Sequence, residues 1–396
     1  MFPDFSALGI AAGAQQGGKP DPKGNAQRLS LPKVFFCRKP LAIRKMATFI
    51  PLMALKIDIH THIIPEQLPR WAEKFGYGGF VHLEHHKPCC ARMMKDDEFF
   101  REIQSNCWDP SVRINECNTH GVQVQVLSTI PVMFHYWAKP EHAWDTSRFL
   151  NDHIAEVCAR YPQRFVGLGT IPMQSAKHAI KEMERLKKLG LLGLEVGSNV
   201  NDLNLNEPAF FPIWEAAQAM DLALFVHPWN MMGARQMPKY WLPWLVGMPA
   251  ETSRAICSML FGGVLERFPH LRIAFAHGGG SFPLTIGRIE QGFKVRPDLT
   301  ALDNAVNPRD YTGRYFFDTL MHDPVALDYV IRQFGEDSLC LGSDYPFPLG
   351  EHVPGKMIEE MKLKKSVKEK LLAKNALRWL KLPENHFAKR SAKNPS

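Results

Sequence analysis

The 396-residue sequence predicts an α/β fold, a (β/α)8 TIM barrel, on three observations. Eight short segments rich in apolar and β-branched residues recur along the chain, most of them followed by a stretch of helical periodicity. Alternating β and α units imply a parallel sheet, and eight of them imply closure into a barrel with its chemistry at the carboxyl ends of the strands. Histidines and an aspartate stand at several of those ends. A doubly wound open sheet is the structural alternative, but no GxGxxG follows the first strand, as a dinucleotide fold would require.

Residues 1–53 read as a disordered basic leader. Gly, Pro, Gln and Lys dominate 11–27, and neither strand nor helix periodicity emerges. The stretch 33–45 is basic and poor in acids, a composition compatible with a mitochondrial address, and Met46 and Met53 are alternative starts just ahead of the first strand. The first strand, 57–60, alternates Ile57 and Ile59 with Asp58 and His60. Further strands are predicted over 122–128, 165–169, 193–196, 222–227, 272–277, 315–318 and 339–341. Helices are predicted over 151–161, 175–189, 208–220, 253–268, 282–291 and 324–334. In the second of these Ile180, Met183 and Leu186 form one stripe, and Gly190 follows the last turn. A final helix, 367–380, has Leu371, Leu372 and Leu377 to bury and lysines to turn outward. The catalytic barrel is thus expected over 54–385, with 386–396 a disordered tail.

Two connections are too long to be plain loops. The insertion 63–121 carries His82, His85, His86, Lys95 and Arg101, and 229–250 is dense in Trp, Met and Pro. Both leave carboxyl ends of strands, so both can roof a site; the aromatic and Met cluster suits packing and also the cover of an enclosed pocket.

Charge excludes one class of function. The chain carries a net +8, but residues 1–55 hold eight basic residues against two acidic ones, which leaves only +2 for the rest. A nearly neutral folded part does not support a basic nucleic-acid face. The eight cysteines show no CxxC spacing, no secretory signal precedes them, and adjacent Cys89 and Cys90 do not readily bridge each other. Reduced thiols in the cytosol are therefore expected. The apolar run 46–55 contains Pro51 and is too short to span a bilayer.

The strand ends carry the chemistry. Side chains two apart on a strand share a face, so His60 and His62 point the same way, close enough for two imidazoles to hold one metal ion. The strand 222–227 ends in His227, followed by Pro228; the strand 272–277 ends in His277, followed by three glycines; the last strand leads to Asp344. In a barrel these distant positions converge on one axis. Any one of them could be a satisfied buried polar group. Five at matching ends point to a metal site, and neutral imidazoles with one aspartate suit zinc.

These residues resemble the amidohydrolase superfamily. Further strings, among them Gly76-Tyr77-Gly78-Gly79, Asn106-Cys107-Trp108-Asp109-Pro110, Tyr240-Trp241-Leu242-Pro243-Trp244-Leu245-Val246-Gly247-Met248-Pro249 and Asp344-Tyr345-Pro346-Phe347-Pro348, resemble its zinc-dependent decarboxylase branch. Within that branch they are similar to the family acting on an aminocarboxymuconate semialdehyde in the kynurenine route of tryptophan breakdown. The resemblance covers about 56–382. It implies one zinc per subunit held by His60, His62, His227 and Asp344, with His277 a general base rather than a ligand. It implies loss of a carboxylate as carbon dioxide without oxidant or organic cofactor. It also implies a dicarboxylate substrate held by Arg101, with Arg288 arriving from the neighbouring subunit of a homodimer. Lys95 is a further cation in the inserted loop, and Trp229 and Phe347 wall the pocket. A related decarboxylase of aromatic acids, a hydrolase of the same superfamily and a catalytically silent barrel are the alternatives. Where binuclear relatives place a bridging ligand, commonly a modified lysine, this chain has Glu195 and no lysine, which favours a single metal. Thr61 is expected to point away from the metal and to tolerate substitution.

Overall fold

The computed structural model describes residues 55–387. Eight parallel strands lie in sequence order: β1 (Ile57–His62), β2 (Val124–Ser128), β3 (Phe165–Gly169), β4 (Gly193–Gly197), β5 (Ala223–His227), β6 (Arg272–Phe275), β7 (Phe316–Asp318) and β8 (Leu339–Cys340). The residues following β8 close the barrel onto β1. Ile59 N donates to Leu341 O at 2.8 Å and His62 N to Tyr345 O at 2.8 Å. All eight predicted strands are present. The strand predicted over 272–277 ends its ladder at Phe275, because His277 opens a turn with φ of +55°.

Helices α1 (Pro110–His120), α2 (Pro140–Arg160), α3 (Ala176–Lys188), α4 (Phe211–Ala219), α5 (Met248–Phe261), α6 (Phe282–Val295) and α7 (Pro324–Phe334) pack outside the strands. Between strands and helices lies the larger core, built of residues such as Leu127, Ile154, Met183, Trp214, Ile256, Phe282 and Phe317. A second core fills the barrel: Ile57, Ile59, Val124, Val126, Phe225 and Ala274 meet Ala376, Trp379 and Leu380 of the final helical run, Lys365–Leu380. Trp379 Nε1 donates to Arg272 O at the start of β6, so this run plugs the barrel at the end opposite the site. The barrel interior is therefore packed rather than open, as its alternating β-branched strands require.

The insertion after β1, too long for a plain loop, has secondary structure of its own. It folds into a three-stranded antiparallel sheet, Val81–Lys87, Cys90–Lys95 and Glu98–Gln104, followed by α1. Its first strand, Val-His-Leu-Glu-His-His-Lys, has little apolar alternation because mainly its amino-terminal end is covered. The leader 1–53 lies outside the described residues. So does the tail, except that His386 N donates to Pro383 O at 2.9 Å and Phe387 packs against the barrel core. The seven cysteines of the described residues are free. Among the described residues no helix is long and apolar enough to cross a membrane.

Candidate active site and metal centre

At the carboxyl end of the barrel, one ligand atom from each of His60, His62, His227 and Asp344 lies within 4.8 Å of the others. His62 Nε2 and His60 Nε2 stand 3.1 and 3.4 Å from Asp344 Oδ1. Tetrahedral donors at about 2.1 Å from zinc would be about 3.4 Å apart, so the spacing suits one ion.

The second nitrogen of each ring supplies the stronger test. His60 Nδ1 meets Asp318 Oδ2 at 2.7 Å, His62 Nδ1 meets Thr129 O at 2.8 Å, and His227 Nδ1 meets Pro228 O at 3.0 Å. Each of these partners is an acceptor, so each Nδ1 carries the proton and each Nε2 presents a lone pair. All three Nε2 atoms are buried and lack a hydrogen-bond partner. A buried acceptor without a partner is costly, and a shared cation satisfies three at once.

Electrostatics agree with that donor set. Burial pushes His60 below its ordinary value, and His227 further still with help from the neighbouring imidazoles. Burial alone would raise Asp344, but the neighbouring imidazoles of His60, His277 and His62 outweigh it and hold the carboxylate well below its ordinary value. His62 is the exception: burial lowers it, yet Asp344 and Glu195 outweigh burial and pull it upward. Glu195 lies on the far side of His62, its Oε1 3.6 Å from Nδ1. Burial pushes Glu195 up to about 8, against the opposing pull of His62.

His277 stands beside the four donors. Its Nε2 is 3.7 Å from Asp344 Oδ2, and its ring centroid is 5.1 Å from those of both His60 and His227. The cavity above the donors holds about 650 Å³ of empty space, its open mouth included. Its lining includes Arg101, Trp229, Trp241, Trp244 and Phe347. Arg101 lies on the third strand of the inserted sheet, its guanidinium 4.7 Å from the Phe347 ring centre. Burial lowers its pKa while Asp344 raises it. Among the described residues no carboxylate pairs with it. A desolvated cation facing a cavity is set up to receive an anion.

Two residues predicted for the site lie outside the cavity of their own chain. Lys95 is exposed at the end of the middle inserted strand and does not line the cavity. Arg288 is exposed on α6 and is also absent from the lining of its own chain's cavity. Thr61 is buried rather than freely replaceable, since its Oγ1 donates to Val126 O at 2.9 Å.

Sequence reasoning missed three buried supports. Arg113 of α1 donates to His62 O at 2.6 Å, Asn106 O at 3.0 Å and Gln125 Oε1 at 3.0 Å, and stacks 4.7 Å from the Tyr345 ring centre. It joins both ends of the ligand set to the inserted segment. Glu251 of α5 accepts from Ser198 Oγ and Asn199 Nδ2, which in turn grip the backbone of Trp229. Asp318, at the end of β7, holds His60. Its signal was present, for the predicted seventh strand also ends in an aspartate.

The chain matches the family model described as amidohydrolase over residues 57–382. It is 56% identical over 336 residues to a 2-amino-3-carboxymuconate-6-semialdehyde decarboxylase of Dictyostelium discoideum, covering 84% of this chain and 94% of the relative. It is 40% identical to one of Caenorhabditis elegans, covering 83% of this chain and 95% of that relative. Its fold is similar to that of 5-carboxyvanillate decarboxylase from Sphingomonas paucimobilis, with a TM-score of 0.71 at 24% identity over 84% of this chain and all of the other. The chain therefore belongs to the amidohydrolase family, in the group that includes the 2-amino-3-carboxymuconate-6-semialdehyde decarboxylases.

Proposed function

We propose that this chain is a zinc-dependent, non-oxidative decarboxylase that converts 2-amino-3-carboxymuconate 6-semialdehyde to 2-aminomuconate 6-semialdehyde. It acts as a homodimer in the cytosol, in the kynurenine route of tryptophan breakdown, and diverts flux from quinolinate and NAD synthesis. The observation that carries the reading is the convergence on one largely apolar cavity of a three-histidine, one-aspartate donor set and the cation Arg101, which has no carboxylate partner among the described residues. The relatives named above supply the substrate.

His60, His62, His227 and Asp344 would hold the ion, and a nitrogen-rich set with one carboxylate suits zinc. When bound, the metal supplies Lewis acidity and brings the pKa of a water toward neutrality. The side chains do the rest. Arg101 binds one substrate carboxylate as a planar two-pronged donor, in a place where few water molecules compete. Arg288 of a second subunit binds the other carboxylate. Trp229 and Phe347 confine the unsaturated chain and exclude bulk water. His277 accepts a proton at the reacting centre and returns one to the carbon that loses carbon dioxide. The bond between that carbon and its carboxylate breaks, its electron pair stays on the substrate, and a proton takes the place of the carboxyl group. No oxidant is needed.

A spectrophotometric decarboxylation assay on purified protein, with carbon dioxide release and metal content measured on the same sample, tests the proposal. Loss of the substrate absorbance with stoichiometric carbon dioxide and one zinc per subunit is the expected result. Amide hydrolysis without carbon dioxide, or turnover of aromatic acids alone, would overturn it.

A further inference from the structure

We propose that Asp318 is a positioning residue that couples the metal centre to the base, holding a metal-binding imidazole and the backbone of His277 with one carboxylate. The inference rests on the roles of His60 and His277 proposed above.

Asp318 is wholly buried. Its Oδ2 accepts from His60 Nδ1 at 2.7 Å and from His277 N at 2.9 Å. Its Oδ1 accepts from Gly278 N at 2.7 Å and Leu320 N at 3.1 Å. All four partners are donors. Only an ionised carboxylate, with its two oxygens and about four lone-pair positions, satisfies such a set.

The consequence for His277 lies in its backbone. Its φ of +55° is left-handed, and Gly278, Gly279 and Gly280 continue at +62°, +78° and +63°. A side chain with a Cβ adopts that conformation only when its surroundings hold it there. Two successive N–H groups of this turn, at 277 and 278, end on Asp318. The same carboxylate that fixes the tautomer of His60 therefore fixes the turn that aims His277 past Asp344. Neither can shift without disturbing the other's hydrogen bonds.

Asparagine has nearly the same shape but cannot satisfy this cage. Whichever way the amide turns, its NH2 faces two donors: either His60 Nδ1 and His277 N, or Gly278 N and Leu320 N.

Asp318→Asn is compared with the unaltered protein for zinc affinity by chelator competition, and for kcat and KM at zinc concentrations that saturate the variant. Zinc should bind about 10- to 100-fold more weakly. At saturating zinc, kcat should remain about 100-fold low because the base is misplaced, while KM stays within about threefold, since Arg101, Trp229 and Phe347 are untouched. Recovery of kcat at saturating zinc would mean that Asp318 serves His60 alone, and would overturn the coupling. So would unchanged zinc affinity. The imidazole 15N resonances of His277 in metal-free protein give a readout independent of turnover: a shift supports the proposal, and resonances identical to those of the unaltered protein refute it. Should the unaltered protein not decarboxylate, the functional reading fails, and zinc affinity with these resonances still decides the role of Asp318. If Asp318→Asn does not fold, Asp318→Ala with added formate replaces it, and restored zinc affinity and His277 resonances are expected. No response to formate in folded Asp318→Ala would count against the carboxylate cage.

Discussion

Replacing Arg101 by alanine should separate function from stability. In the folded chain its guanidinium is half-buried at the cavity, stacked against Phe347, with no carboxylate partner among the described residues. Its burial therefore opposes folding, and only an arriving anion offsets the cost. Loss of one member of a desolvated, hydrogen-bonded ion pair costs about 2–4 kcal/mol, or roughly 30- to 1,000-fold in kcat/KM. The side chain's packing on Phe347 contributes about 0.5–1 kcal/mol of stability, which relief from desolvation should roughly cancel. Steady-state kinetics and thermal unfolding, measured on one metal-replete preparation, check both halves. Arg101→Ala should lose activity in that range and shift Tm by only a few degrees. Arg101→Lys should recover little, because an ammonium lacks the two-pronged geometry. A kcat/KM within about threefold of the unaltered enzyme would refute the role, since uniform binding by this cation could not then be worth a charged hydrogen bond.

Two further predictions concern subunit sharing and acid sensitivity. If Arg288 completes the partner subunit's site, inactive Arg101→Ala and Arg288→Ala proteins should regain about a quarter of full activity on mixing, because half of the dimers then carry one intact site of two; no gain despite demonstrated subunit exchange would refute this. His135, buried among Trp71, Phe80 and Trp137, is pushed down to about 3, mainly by burial and further by the charge of Lys95. The unfolded chain takes up this proton near pH 6.5 and the folded chain only near 3, so stability falls as pH drops between those values, by up to about 1.4 kcal/mol per pH unit. His135→Asn tolerates the residue's φ of +51° and should flatten that slope in urea unfolding at pH 7 and pH 5, whereas identical slopes would contradict it.

The barrel was legible because its strands repeat one pattern. Ile57 and Ile59 fill the barrel while His60 and His62 turn toward one cluster, so spacing alone placed two donors on one face. His227 and Asp344 were legible once eight strands were counted, since closure brings their ends together. The supports were not. Arg113 looks in sequence like any helical arginine, and only packing reveals that it holds His62 O and Asn106 O. Glu251 acts through Ser198 and Asn199, more than fifty residues away in the chain. The inserted sheet escaped notice because its strands are half-covered and lack a regular apolar alternation. Arg288 and Lys95 mark what sequence leaves open: it supplies a charge, and only the fold shows that both are exposed, outside the cavity of their own chain.

The most direct test of the account is zinc content and turnover measured together on His227→Ala and His277→Ala. His227 presents one of the three unpartnered Nε2 atoms of the donor cluster, so its loss should strip the metal and activity alike. His277 stands outside that cluster, so His277→Ala should keep one zinc per subunit while turnover is abolished. Loss of zinc from His277→Ala as well would contradict the division between ligands and base on which the whole reading depends.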